Sequence, residues 1–183
     1  MGGIGRRITE SITKFSHKDY ENALIQIIIA IDATAKNEFP ELSGRGNVGK
    51  RCKQLIRNNK DLLMLATTLK IDCEIILNNK TLDQILYEIV RTSLFHDGEL
   101  PKNFIINKDL TFSYEKNEDI ISVPYTIISA LILCVVGSLK NINERIGNNN
   151  VLEIHKNIFI NVNEFFGKKE EMQEAIRKRF NIA

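Results

Sequence analysis

Arg91 and His96 fall in the run Leu86-Tyr87-Glu88-Ile89-Val90-Arg91-Thr92-Ser93-Leu94-Phe95-His96-Asp97-Gly98. A permanently charged guanidinium grips phosphate oxygens, and an imidazole exchanges a proton near neutral pH. Together they are the groups that metal-independent phosphodiester cleavage requires. His96 would take the proton of a ribose 2′-hydroxyl and Arg91 would stabilise the charge building on phosphorus. The products would be a 2′,3′-cyclic phosphate and a free 5′-hydroxyl, and DNA, lacking the 2′-hydroxyl, would be refractory. On an α-helix a five-residue gap separates two side chains by about 140° around the axis and about 7.5 Å along it. One copy of the chain therefore does not bring the pair together, whereas a symmetric dimer places two of each in one cleft.

The stretch from Tyr87 to Gly98 resembles the signature of the HEPN superfamily (higher eukaryotes and prokaryotes nucleotide-binding): arginine, a polar residue, variable positions, then histidine at the end of a helix. The likeness extends loosely to Ile31-Asp32-Ala33-Thr34-Ala35 in the long helix nearer the start. The resemblance implies a mostly helical bundle that dimerises through the motif helix, with Arg91 on the scissile phosphate and His96 as base or acid. It also implies a ribonuclease of toxin-antitoxin, abortive-infection or other antiviral systems, with an antitoxin or other defence protein as partner. Thr92 departs from the pattern, because active members carry Asn, Asp or His there.

Around the pair, Thr92 keeps a hydroxyl, Glu88 and Asp97 offer carboxylates that could orient either member, and Tyr87 stands four residues before Arg91, where it could line the cleft or stack on a base. A basic stripe, Arg45, Lys50, Arg51, Lys53, Arg57 and Lys60, runs without an intervening acid and is the candidate track for RNA. Gly44-Arg45-Gly46-Asn47-Val48-Gly49 fits G-x-G-x-x-G by letter, but no strand precedes it, so a dinucleotide fold is rejected; an amide-rich turn that holds a phosphate survives. No histidine has a partner at metal-ligand spacing, and neither a G-x-S-x-G box nor a phosphate-binding P-loop occurs, so no metal or cofactor is expected.

The net charge of +2 is unevenly placed: residues 1–60 carry 11 basic and 6 acidic groups, and residues 61–130 carry 6 and 11. With 43% hydrophobic and 26% charged residues the balance is that of a globular chain, and 183 residues suit one domain. The apolar stretch Ile127 to Val136 is half the length of a membrane span. With no secretory signal or lipidation box at the start, a cytoplasmic protein with no membrane partner is expected. Cys52, Cys73 and Cys134 are widely spaced and read as reduced small hydrophobes.

The elements that must hold the motif follow from periodicity. Residues 1–14 read as loosely held, and a core helix runs from about His17 to Phe39, ended by Pro40. A short basic helix spans about Asn47 to Asn58, and another, which Asp61 can cap, runs through Leu69. Asn78-Asn79-Lys80 breaks the pattern before Thr81 caps the motif helix, where Leu82, Ile85, Leu86, Ile89 and Val90 recur at helical spacing. Residues 103–115 read as a small β-hairpin and Pro124 starts a helix. After the turn at 147–150 come a helix over Val151 to Phe166 and a short one over Lys169 to Phe180. The fold class expected is mainly α, a helical bundle with a small β-hairpin insertion in a single domain over 1–183. Two other readings remain open: a catalytically inactive dimer of the same fold that binds RNA, nucleotide or a protein partner, and a structural protein whose motif is local helix capping.

Overall fold

The computed structural model describes residues 2–67, 75–147, 151–155 and 158–180. Expectations that fall on Leu69, Cys73 and Asn148 to Asn150 lie outside the described residues, as does the side chain of Arg45. The chain is mainly α-helical with a minor β component, and no helix among the described residues is long and apolar enough to cross a membrane.

Residues 3–16 are ordered, against the expectation from sequence. They form α1 (Gly3–Ser16), whose Ile4, Ile8, Ile12 and Phe15 are buried against α2 (Tyr20–Glu38). Glycines at the start obscured a stripe at spacings of four, four and three. The Glu144 carboxylate accepts the Gly5 amide at 3.0 Å, so a distant acid holds the positive end of this helix. Helix α2 is central, burying Leu24, Ile27, Ile28 and Ile31. It also packs on α3 (Val48–Asn58) and on α7 (Thr126–Gly137), a helix buried on every side, and α7 covers α4 (Lys60–Thr67).

The motif segment is launched by a tight hairpin. Strands β1 (Ile76–Leu77) and β2 (Lys80–Thr81) pair antiparallel across Asn78 and Asn79, whose φ values of 49° and 56° are those of a type I′ turn. Asparagine tolerates that region better than most residues. Thr81 then caps α5 (Leu82–Gln84) in a capping box, with the Gln84 side chain accepting the Thr81 amide at 2.9 Å. A seven-residue π segment, Ile85–Arg91, follows, and then α6 (Thr92–His96), closed by Gly98 at φ 78°.

Three expectations change where the chain is β. Strands β3 (Phe104–Asn107) and β4 (Ser113–Glu115) do not pair with each other. Both pair with β5 (Ile120–Pro124), parallel and antiparallel respectively, in the order β3-β5-β4. The 103–115 hairpin is thus two strands of a three-stranded sheet whose centre lies beyond it, and Pro124 ends a strand before α7 begins. The helix expected over Val151 to Phe166 is an antiparallel pair, β6 (Val151–His155) and β7 (Ile158–Asn161). Leu152, Ile154 and Ile160 are buried while Val151 and Phe159 are exposed, a period of two that β-branched residues favour. Helix α8 (Lys169–Phe180) closes the chain over Met172 and Ile176.

Because Ile8 has no exposed surface and α1 is part of the core, Ile8→Ala should destabilise the protein by about 2–5 kcal/mol. Urea unfolding measures this; a change below about 0.5 kcal/mol would mean that the first helix is not docked.

Candidate functional site

Asp32 is the one carboxylate in the apolar centre of α2, and three elements meet on it. Its Oδ1 accepts from Arg51 Nη2 of α3 at 3.1 Å, and its Oδ2 accepts from Arg91 Nη2 at the end of the π segment at 3.0 Å. The Arg51 side chain is 8% exposed, that of Arg91 17% and that of Asp32 22%. Burial pushes the Asp32 pKa up, but the hydrogen bonds from Arg91 and Arg51 outweigh it and hold the carboxyl below its ordinary value. One carboxylate between two guanidiniums leaves the trio with one net positive charge.

The π segment determines which way Arg91 faces. Thr92 donates its amide to the Tyr87 carbonyl, five residues back, and its hydroxyl donates to the same oxygen at 3.2 Å. The wide turn adds a residue relative to an α-helix and presents Arg91 to Asp32. Arg91 also lies over the Tyr87 ring, its Cζ 5.2 Å from the centroid. Tyr87 in turn packs on Gly49: a Cβ there would stand 2.6 Å from the ring. The glycine-rich run is thus explained in part by packing. Its last member admits a tyrosine edge, and it lies among 3₁₀ turns, Pro40–Leu42 and Arg45–Asn47, with no strand before it.

His96 ends α6 and is exposed, and its side chain makes no hydrogen bond or ion pair with the described residues. Within one chain the arginine is drawn inward to Asp32 while the histidine faces solvent, so a single copy does not pair them. Asp97 is exposed and caps α6 through its backbone amide alone. Glu88 is shared by Lys53 at 3.1 Å and Lys80 at 2.7 Å, and these lysines hold its pKa below the usual value.

Of the basic stripe, Arg51 is committed to Asp32, Lys53 to Glu88, and Arg57 to Asp83 at 2.8 Å; Lys50 is exposed and has no ion pair among the described residues. Cys52, beside Asp32, is pushed up to about 12 by burial and then by that carboxylate, so its thiol stays protonated and is no nucleophile. Among the described residues no group of three or more His, Cys, Asp or Glu could hold a metal ion.

The sequence alone assigns no role to Asp32, to Lys80 or to the packing of Gly49. A signal for Asp32 was present. A lone acid within an otherwise apolar run, Ile27 to Ala35, must find cationic partners if it is to stay ionised when buried.

The fold and site define a helical protein with a clamped arginine on a π turn and an unpartnered histidine at the end of the helix that follows. The chain belongs to the Rv1289 family, whose model matches residues 3–183. No curated protein and no solved structure matches it.

Asp32→Ala leaves two guanidiniums facing each other and should cost on the order of 3 kcal/mol. Since the folded carboxyl is depressed, the stability it contributes is present above the unfolded aspartate pKa and is lost as pH falls through the folded value. Asp32→Asn should therefore flatten the acid limb of a stability-against-pH curve, and an unchanged limb would deny the clamp. Gly49→Ala should cost about 1–3 kcal/mol by driving Tyr87 from its place; thermal unfolding at neutral pH reads this directly, and an unchanged midpoint would show that the ring is not seated there.

Proposed function

We propose that this protein is a metal-independent endoribonuclease, acting in the cytoplasm as a homodimer whose cleft takes Arg91 and His96 from two copies of the motif helix. The carrying observation is the contrast along that helix: Arg91 is fixed by Asp32, and five residues on the His96 side chain is exposed and without a partner among the described residues. In the reaction a histidine takes the proton of the ribose 2′-hydroxyl and the oxygen attacks phosphorus. The bond to the 5′-oxygen breaks and a proton returns to the leaving oxygen. Arg91 meets the charge that builds on the phosphate, and its prior fixation avoids reorganisation during the step. The resemblance of the motif to HEPN ribonucleases supports this reading and suggests a role in antiviral defence or a toxin-antitoxin pair.

A second reading is favoured by one specific contact. Thr92 stands where active enzymes of that kind carry Asn, Asp or His, and its hydroxyl is engaged by the Tyr87 carbonyl. A dimer that binds RNA, nucleotide or a protein partner without cleavage would need nothing more of Thr92.

His96→Ala separates the readings cleanly, because an exposed residue without partners can be removed at a cost within about 0.5 kcal/mol. Mixed RNA incubated with the full-length protein in EDTA should be cut to fragments ending in 2′,3′-cyclic phosphate, and His96→Ala should slow cutting by about 10²-fold or more. Equal background cutting by both proteins would overturn the enzymatic reading.

A further inference from the structure

Beside the Asp32 clamp lies a second trio with the same charge pattern. Glu88, the residue after Tyr87 in the π segment, accepts Lys53 from α3 on Oε1 at 3.1 Å and Lys80 from β2 on Oε2 at 2.7 Å. Its side chains stay open to solvent, 24% exposed at Lys53, 38% at Lys80 and 36% at Glu88. Exposed ion pairs of this kind add little to stability, so the fold does not need them. Geometrically they hold two ammonium groups from separate elements side by side, again with one net positive charge.

Tyr87 joins the two trios. Lys53 Nζ stands 5.7 Å from its ring centroid and Arg91 Cζ 5.2 Å from the same point. One phenol ring thus carries a cation of each trio, and Gly49 fixes the ring by admitting its edge. Lys50 adds an exposed charge, without an ion pair among the described residues, next to Gly49 on the same helix. A single strand of nucleic acid offers negative phosphates in succession, and an arrangement of net-positive clusters side by side is complementary to it.

We infer that Lys53 and Lys80, held together by Glu88 beside Tyr87, form a second phosphate subsite, which takes a backbone phosphate of single-stranded RNA next to the one that meets Arg91. This rests on the reading of the cleft as an RNA site, but it concerns binding and not cleavage. Glu88 is a positioning residue here: it keeps the two ammonium groups together and is itself displaced or joined by the phosphate.

The test is the salt dependence of binding by the full-length protein to a labelled single-stranded oligoribonucleotide that is 2′-O-methylated throughout, so that no 2′-hydroxyl can attack. Loss of one phosphate contact on a single strand makes the plot of log K against log salt shallower by about 0.7. Lys53→Gln with Lys80→Gln together should give that change and weaker binding. Lys116→Gln, an exposed lysine in the β4–β5 turn, should leave the slope alone, and Glu88→Gln, which frees both lysines, should tighten binding. A slope unchanged in the double variant, or an equal change in Lys116→Gln, would overturn the subsite even if ordinary RNA is still cut. A wild-type protein that binds with the expected lysine dependence but cuts nothing would support the subsite and remove the catalytic reading. Failure of the wild type to bind the oligonucleotide would overturn the subsite, and failure to cut ordinary RNA as well would overturn the enzyme.

Discussion

A carboxylate on a buried helix cannot stand alone, and the arrangement of the site follows from that constraint. Asp32 lies in an apolar stretch of α2 where an unpaired charge would be strongly unfavourable. It is retained because α3 and the π segment each deliver a guanidinium to one of its oxygens. The same contact ties three elements together and orients Arg91. Truncating Asp32 leaves two guanidiniums without their counter-charge, whereas loss of either arginine leaves the carboxylate paired with the other, so the carboxylate is the sensitive member even when the intact set contributes little net stability.

The order of elements around the motif serves this contact. The Asn78-Asn79 turn and the Thr81 cap fix where the helix starts, the π turn sets the face on which Arg91 emerges, and Gly98 ends the helix just beyond His96. Thr92 belongs to this local geometry, since its hydroxyl and its amide both donate to the Tyr87 carbonyl. Thr92 therefore has a structural role in this chain. Gly49 and Tyr87 supply the other wall, and through Tyr87 the two cation-rich trios share one surface.

The mainly helical class, the capped motif helix and its glycine stop were legible because long apolar periodicity and capping chemistry are local signals. What escaped was non-local. The stripe of Ile4, Ile8, Ile12 and Phe15 begins among Gly2, Gly3 and Gly5, which mask the start of a helix, and the acid that steadies that helix is Glu144, far along the chain. The central strand of the small sheet, Ile120–Pro124, pairs with partners on both sides that looked as if they should pair with each other. Val151–His155 and Ile158–Asn161 alternate at period two, but their apolar content also suits a helix. At the site, the arginine, the histidine and their neighbours in sequence were visible. The basic stripe was visible as charge, though not as a set of side chains three of which are committed to Asp32, Glu88 and Asp83. Ion pairing of that sort depends on which helices meet, and a linear pattern of lysines and arginines does not reveal it.

The geometry of the motif helix assigns Arg91 and His96 different surroundings within one chain, so the central claim is that the reacting pair forms between chains. Mixing two variants, Arg91→Gln and His96→Ala, each of which should cut RNA far more slowly than the wild type, tests it most directly. Asp32 keeps Arg51 as a partner when Arg91 is replaced, and His96 has no partner to lose. After subunit exchange, mixed dimers carry one intact arginine opposite one intact histidine, and the account predicts that RNA cleavage reappears in the mixture. Exchange demonstrated by mass or fluorescence with no recovered cleavage would contradict it.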